Sequence, residues 1–121
     1  MHKPATAWLP FALLALVGLL GGCGDDAAPP TRNAAALAPA DPALAKIYDS
    51  SCKLCHANPA SGAPQAGDAK AWQPRVAQGA DSLLDHSING FKGMPPMGMC
   101  MQCSEDEFLA LISFMSGQSV R

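Results

Sequence analysis

Cys52-Lys53-Leu54-Cys55-His56 is the stretch on which the reading of this 121-residue chain turns. Two thiols three positions apart, followed at once by a histidine, form the pattern used to attach c-type haem. Each thiol can add across one vinyl group of the porphyrin, leaving two thioether bonds. The adjacent imidazole then lies beneath the iron and can serve as its proximal ligand. A bare Cys-x-x-Cys can equally hold zinc or act as a dithiol. The flanking sequence has to discriminate between these chemistries.

Downstream lies Gly93-Met94-Pro95-Pro96-Met97-Gly98-Met99, with Met101 two positions on, so four of the six methionines fall within eight residues. A thioether is a soft, neutral ligand, and His/Met ligation raises a haem reduction potential. Met94 is singled out as the distal ligand. Pro95-Pro96 stiffens the chain behind it and pushes the preceding residue to extended geometry, which suits a strap passing a ring edge. Met97, Met99 and Met101 are rivals, although methionine more often fills gaps in a core. His86 offers bis-histidine ligation as a minor alternative; it lies mid-helix, two and three positions from Leu84 and Leu83. Trp72 and Arg75 can donate from indole N–H and guanidinium to haem propionates. An equal reading makes Trp72 a core residue and Arg75 a solvent-facing one. Phe91 is expected to pack against the ring.

Upstream, residues 1–22 read as an export signal. Lys3 begins it, and residues 5–20 are almost wholly apolar, a run short of the ~20 residues that span a bilayer. It ends in Leu20-Gly21-Gly22-Cys23, which resembles a bacterial lipoprotein signal with Cys23 as the lipidated new N-terminus. The alternatives are an uncleaved anchor, or an ordinary cleaved signal with a spare thiol. Cysteine arithmetic supports lipidation, because an odd total of five is awkward in an exported protein. With Cys23 on lipid and Cys52 and Cys55 on haem, Cys100 and Cys103 remain as one disulfide pair. More than one acyl chain makes a stable anchor. Residues 23–40, rich in Ala and Pro, are read as a tether from membrane to domain; a helical extension over 33–38 would shorten its reach. The folded part is thus expected on the periplasmic side of a bacterial membrane.

Residues 41–121 read as one small all-α domain. Asp41 caps a first helix with Pro42 at its first position and Leu44, Ile47, Tyr48 and Ser51 on one face. A Pro/Gly/Ala-rich loop covers 58–67. Asp68 caps a helix carrying Trp72, which Pro74 can kink. Asp81 opens another through Leu83, Leu84 and Ile88, stopped by Asn89-Gly90. Ser104 and Glu107 form a capping box before Phe108, Leu111, Ile112 and Met115 at helical spacing. A core this small gains from a bound cofactor. The formal net charge of −2 and the lack of a basic stripe give no nucleic-acid footprint.

The cysteine pair with His56, Gly62-Ala63-Pro64, Gly67-Asp68, Trp72 with Arg75, Asn89-Gly90 before Met94-Pro95-Pro96, Cys100-x-x-Cys103 and the capped last helix together resemble class I cytochrome c. Within it the chain is most similar to the short bacterial cytochrome c5 group, over residues 44–115. The resemblance implies about four short helices around one covalently bound haem c, with first and last helices crossing. It implies Met94 as distal ligand and the Pro64 carbonyl as the group orienting His56. It also implies an electron carrier rather than an enzyme, with redox proteins such as membrane oxidoreductases or reductases as partners. For Cys100 and Cys103 it favours a structural disulfide. A redox-active dithiol, with Cys103 at a helix N-terminus, is the alternative. Zinc held by both pairs is disfavoured, because residues 56–99 between them far exceed the ~15–20 of a zinc ribbon. The expected function is a membrane-tethered monohaem carrier with brief, mildly salt-sensitive docking. An electron-transfer subunit, a small-ligand haem sensor and a zinc-stabilised binding module are the rivals.

Overall fold

The computed structural model describes residues 33–121. The apolar leader, Cys23 and the first part of the tether lie outside the described residues. Among those described, the chain forms five α-helices and three 3-10 turns, with no strand beyond an isolated bridge between Phe91 and Met94. None of these helices is long and apolar enough to cross a membrane.

The first helix, α1 (Pro42–Ser50), starts as its sequence dictates: the Asp41 carboxylate accepts from the backbone N–H groups of Ala43 and Leu44 at 2.8 and 2.9 Å. Such a cap satisfies two donors that the first helical turn leaves orphaned. α1 buries Tyr48 completely, edge-on against Phe114 of the last helix, with ring centroids 4.9 Å apart. It hands the chain directly to α2 (Lys53–His56), a single turn that contains the second thiol and the histidine.

α3 (Ala69–Val76) is capped by Asp68 and runs through Pro74 as one element. α4 (Ala80–Asn89) begins one residue earlier than the Asp81 start, after Gly79, which has φ +89°. Asp81 sits in its first turn, where a carboxylate complements the helix dipole. Gly90 stops α4 as the sequence indicates. α5 (Glu105–Ser116) carries the full capping box, with Ser104 and Glu107 each bonding the other's backbone N–H.

α5 is the spine. Its Phe108, Leu111, Ile112 and Met115 are buried, and α1, α3 and α4 all pack against it with Tyr48, Trp72 and Leu83. Burying such side chains contributes roughly 1.5–3 kcal/mol each. Cys100 and Cys103 are joined by a disulfide buried just ahead of α5. The loop after α2 is tied to this spine, since Gly67 N–H donates to Met115 O at 2.7 Å.

The folded unit starts earlier than residue 41. Asn33 caps a 3-10 turn, Ala34–Ala36, and Ala34 and Leu37 pack against the core. The composition of 33–40 hides this, because a lone leucine among alanines and prolines shows no periodicity.

Candidate haem site

α2 is too short to be stable alone, yet it is held at both ends. His56 N–H donates to Cys52 O at 2.9 Å, and His56 O accepts from Ala66 N–H at 2.7 Å. His56 is 7% exposed, and its Nδ1 lies 2.8 Å from Pro64 O. A carbonyl can only accept, so Nδ1 carries the proton and Nε2 keeps its lone pair. That is the tautomer a metal needs, oriented by a partner of the kind that metal-bound histidines use. Burial lowers the His56 pKa, the Pro64 bond opposes this, and the nearby Arg75 charge lowers it further. The neutral, ligating form is favoured.

The loop presenting Pro64 is braced by residues with no signal in the sequence. Ser61 Oγ donates to Cys55 O or Asn58 O, each at 2.7 Å, and Gln65 Nε2 reaches Ala63 O at 2.8 Å and Asn58 O at 3.1 Å. A serine or glutamine in a Pro/Gly-rich loop is too common a feature to mark such a role.

Cys52, Cys55 and His56 line one cavity together with Pro64, Trp72 and Met94. Both cysteines are unpaired thiols. Burial pushes the Cys52 thiol pKa up, while a contact with Ser51 lowers it. A raised thiol pKa is the opposite of what an activated dithiol needs. Among the described residues no carboxylate lines the cavity, whereas Arg75 and Lys92 both do.

Trp72 holds its place differently from the propionate reading. Its indole Nε1–H donates to Gln65 O at 2.9 Å, and its ring stacks behind His56 at 5.5 Å between centroids. With its one donor spent on backbone, Trp72 supplies wall and backing to the imidazole rather than a hydrogen bond to a cofactor. Arg75 is exposed at the rim, its guanidinium donating to Ala71 O.

The four strap methionines go separate ways. Met94 lines the cavity; Met97 packs against the core. Met99 and Met101 are 57% and 75% exposed, Met99 at the cavity rim. What separates them is backbone: Met97 and Met99 adopt left-handed φ of +60° and +65°. Such conformations are rare for non-glycine residues and cannot be read from side-chain type. Gly98 lies between them at φ +53°, and a Cβ there would meet the flexible tip of Met94, its Cε, at 3.0 Å. His86 lines the cavity and stacks on Phe91, which lies beside it on the cavity wall.

Two thiols, an imidazole with a free Nε2 and a thioether in one largely apolar cavity fit haem c. They do not fit the zinc reading. Cys100 and Cys103 are oxidised, and the described residues contain no cluster of three or more His, Cys, Asp or Glu side chains able to hold a metal.

Known proteins converge on the same chemistry. The family described as cytochrome c oxidase, cbb3-type, subunit III matches residues 39–115. Cytochrome c-555 of Chlorobaculum tepidum is 41% identical over 76 residues, covering 60% of this chain and 70% of its own. Cytochrome c5 of Azotobacter vinelandii is 44% identical over 68 residues, covering 54% of this chain and 82% of its own. A chain from a solved electron-transfer complex of nitrite reductase with cytochrome c aligns with TM-score 0.55 and 42% identity, over 64% of this chain and 94% of that one. The chain therefore belongs to this cytochrome c family, as a class I c-type cytochrome close to cytochrome c5. Such a protein carries one covalently attached haem c and serves as an electron carrier.

Proposed function

We propose that this cytochrome is a membrane-tethered carrier in which His56 and Met94 are the two axial ligands of the haem held by Cys52 and Cys55. The observation that carries the reading is the His56 Nδ1 contact with Pro64 O. It commits one ring nitrogen to the backbone and leaves the other for iron, in a cavity that Met94 also lines. Bound there, haem c supplies a one-electron Fe(II)/Fe(III) couple. Trp72 and the Pro64 carbonyl keep the imidazole from rotating, and the strap keeps the thioether in place. Ligands that stay on in both states keep reorganisation small. Arg75 remains a candidate for the propionate edge on its position at the rim.

Optical spectra of the reduced protein with and without CO test the ligand set. Low-spin bands indifferent to CO are expected. Met94→Ala should bind CO rapidly, and a Met94→Ala spectrum identical to wild type would sink the assignment.

For the anchor, the support is sequence: residues 1–22 as signal, Cys23 as lipid site, and a tether ahead of Asn33 that holds the domain on the periplasmic face. Tethering raises effective concentration near membrane redox partners. Cys23→Ser should move the protein from the detergent phase to the aqueous phase. The partner class is redox proteins, a choice supported by the nitrite reductase complex formed by the structural relative. A second reading, a permanent subunit of a membrane oxidoreductase, is favoured by the oxidase-subunit family description. Co-purification with such a complex after mild detergent extraction would select it.

A further inference from the structure

We propose that His86 is a positioning residue for the distal ligand, acting through Phe91 on the strap that carries Met94. This rests on the Met94 reading. The His86 ring lies parallel to Phe91, with centroids 3.8 Å apart and planes 18° off parallel. Lys92 Nζ lies 5.2 Å from the centroid of the same Phe91 ring. Phe91 in turn exchanges two backbone hydrogen bonds with Met94, its N–H to Met94 O at 3.0 Å and Met94 N–H to Phe91 O at 2.9 Å. A continuous chain of contacts thus runs from α4, through one stack and one backbone bridge, to the methionine.

The strap needs such a hold. It departs from α4 through Gly90 at φ +83°, and Lys92, inside the bridge, sits at φ +53°. Left-handed geometry at a non-glycine residue persists only where its surroundings impose it. Phe91 is not part of the hydrophobic core cluster, so packing in the protein interior does not hold its ring. The flat face of His86, borne on a ten-residue helix that packs on α5, supplies the fixed surface. Histidine is spent here on its shape, and the stack engages the ring that bis-histidine ligation would require.

A stacked aromatic pair shifts an equilibrium by roughly two- to tenfold beyond its burial. Loss of the stack should therefore let Met94 leave iron that much more often. The test uses the full-length, haem-loaded protein and reads CO association by the reduced form together with the iron–thioether absorption band of the oxidised form. His86→Ala and Phe91→Ala should each speed CO binding roughly two- to tenfold and weaken the band. His86→Phe keeps a stacking face and should stay near wild type. The double variant His86→Ala/Phe91→Ala should be no faster than Phe91→Ala alone, because the two residues act as one contact.

A wild-type rate and band in both single alanine variants would overturn the proposal, as would additive effects in the double variant. Phe91 is exposed, so Phe91→Ala carries the test even where His86→Ala folds poorly. A wild type without the band, matched by Met94→Ala, would overturn the ligand reading itself, and the positioning role with it.

Discussion

On one side of the cavity, His56 sits within four residues of both thiols, in a single helical turn, and takes its orientation from a carbonyl eight positions ahead. On the other side, Met94 is held by a strap that leaves α4 through a glycine and passes three non-glycine residues at positive φ before reaching a disulfide. The first arrangement is local and relaxed. The second is assembled from distant parts and holds strain that isolated chain would release. A carrier gains from the asymmetry. In the proposed ligation the covalent side never has to find its ligand, while the Met94 thioether, a weak ligand, would need a fixed approach to stay on in both oxidation states.

The largest test of this contrast is Gly90→Ala. Gly90 has φ +83° and ψ 155°, and a Cβ there would lie 3.0 Å from both Met94 O and Pro96 N. These are backbone atoms, so no side-chain shift relieves the clash. The substitution should cost about 3 kcal/mol in chemical denaturation and raise CO reactivity. Gly79→Ala, at φ +89° with nothing within 4 Å, should cost less and leave CO reactivity alone. Equal effects at the two glycines would erase the distinction.

Next is the disulfide. Its sequence separation of three encloses a small loop, and removing it as Cys100→Ala/Cys103→Ala should cost about 2 kcal/mol, below the ~3 of a fifteen-residue loop. The effect should appear in thermal unfolding and in faster CO binding, while the His56 side stays unaltered.

Tyr48 probes the opposite side. Its hydroxyl is buried and has no hydrogen-bond partner among the described residues. Burial raises its pKa above 10.0, with the negative charge of Asp49 adding to the shift. Stability from the protonated phenol is therefore complete below pH about 10 and is lost as pH rises through the folded pKa, because the unfolded chain ionises first. Tyr48→Phe should leave neutral-pH stability equal or higher by about 1 kcal/mol and flatten the alkaline loss. A steeper alkaline limb in the variant would contradict this. Smallest of all, Met101→Gln at a 75% exposed site should change stability by less than about 0.5 kcal/mol and leave the spectrum intact.

Helix starts were legible wherever a side chain made the cap: Asp41, Asp68 and Ser104 each bond the N–H groups that their spacing indicates. The start of α4 was misplaced by one residue because Gly79 caps with backbone geometry alone. The inward face of α5 followed from its apolar spacing. Trp72 was legible as a large buried ring, but its donor direction was not, since Gln65 O comes to it only through the fold of the loop. Ser61, Gln65 and the His86–Phe91 stack left no trace in local pattern.

The sequence by itself determined the attachment chemistry, the all-α class and the family, because contiguous residues and helical periodicity carry that information along the chain. Only the tertiary structure decided which methionine turns toward the cavity, which becomes core and which stay outside. Four nearly equivalent side chains within eight residues differ in backbone φ and in what α4 and the buried disulfide place beside them. Both are set by contacts between segments remote in sequence.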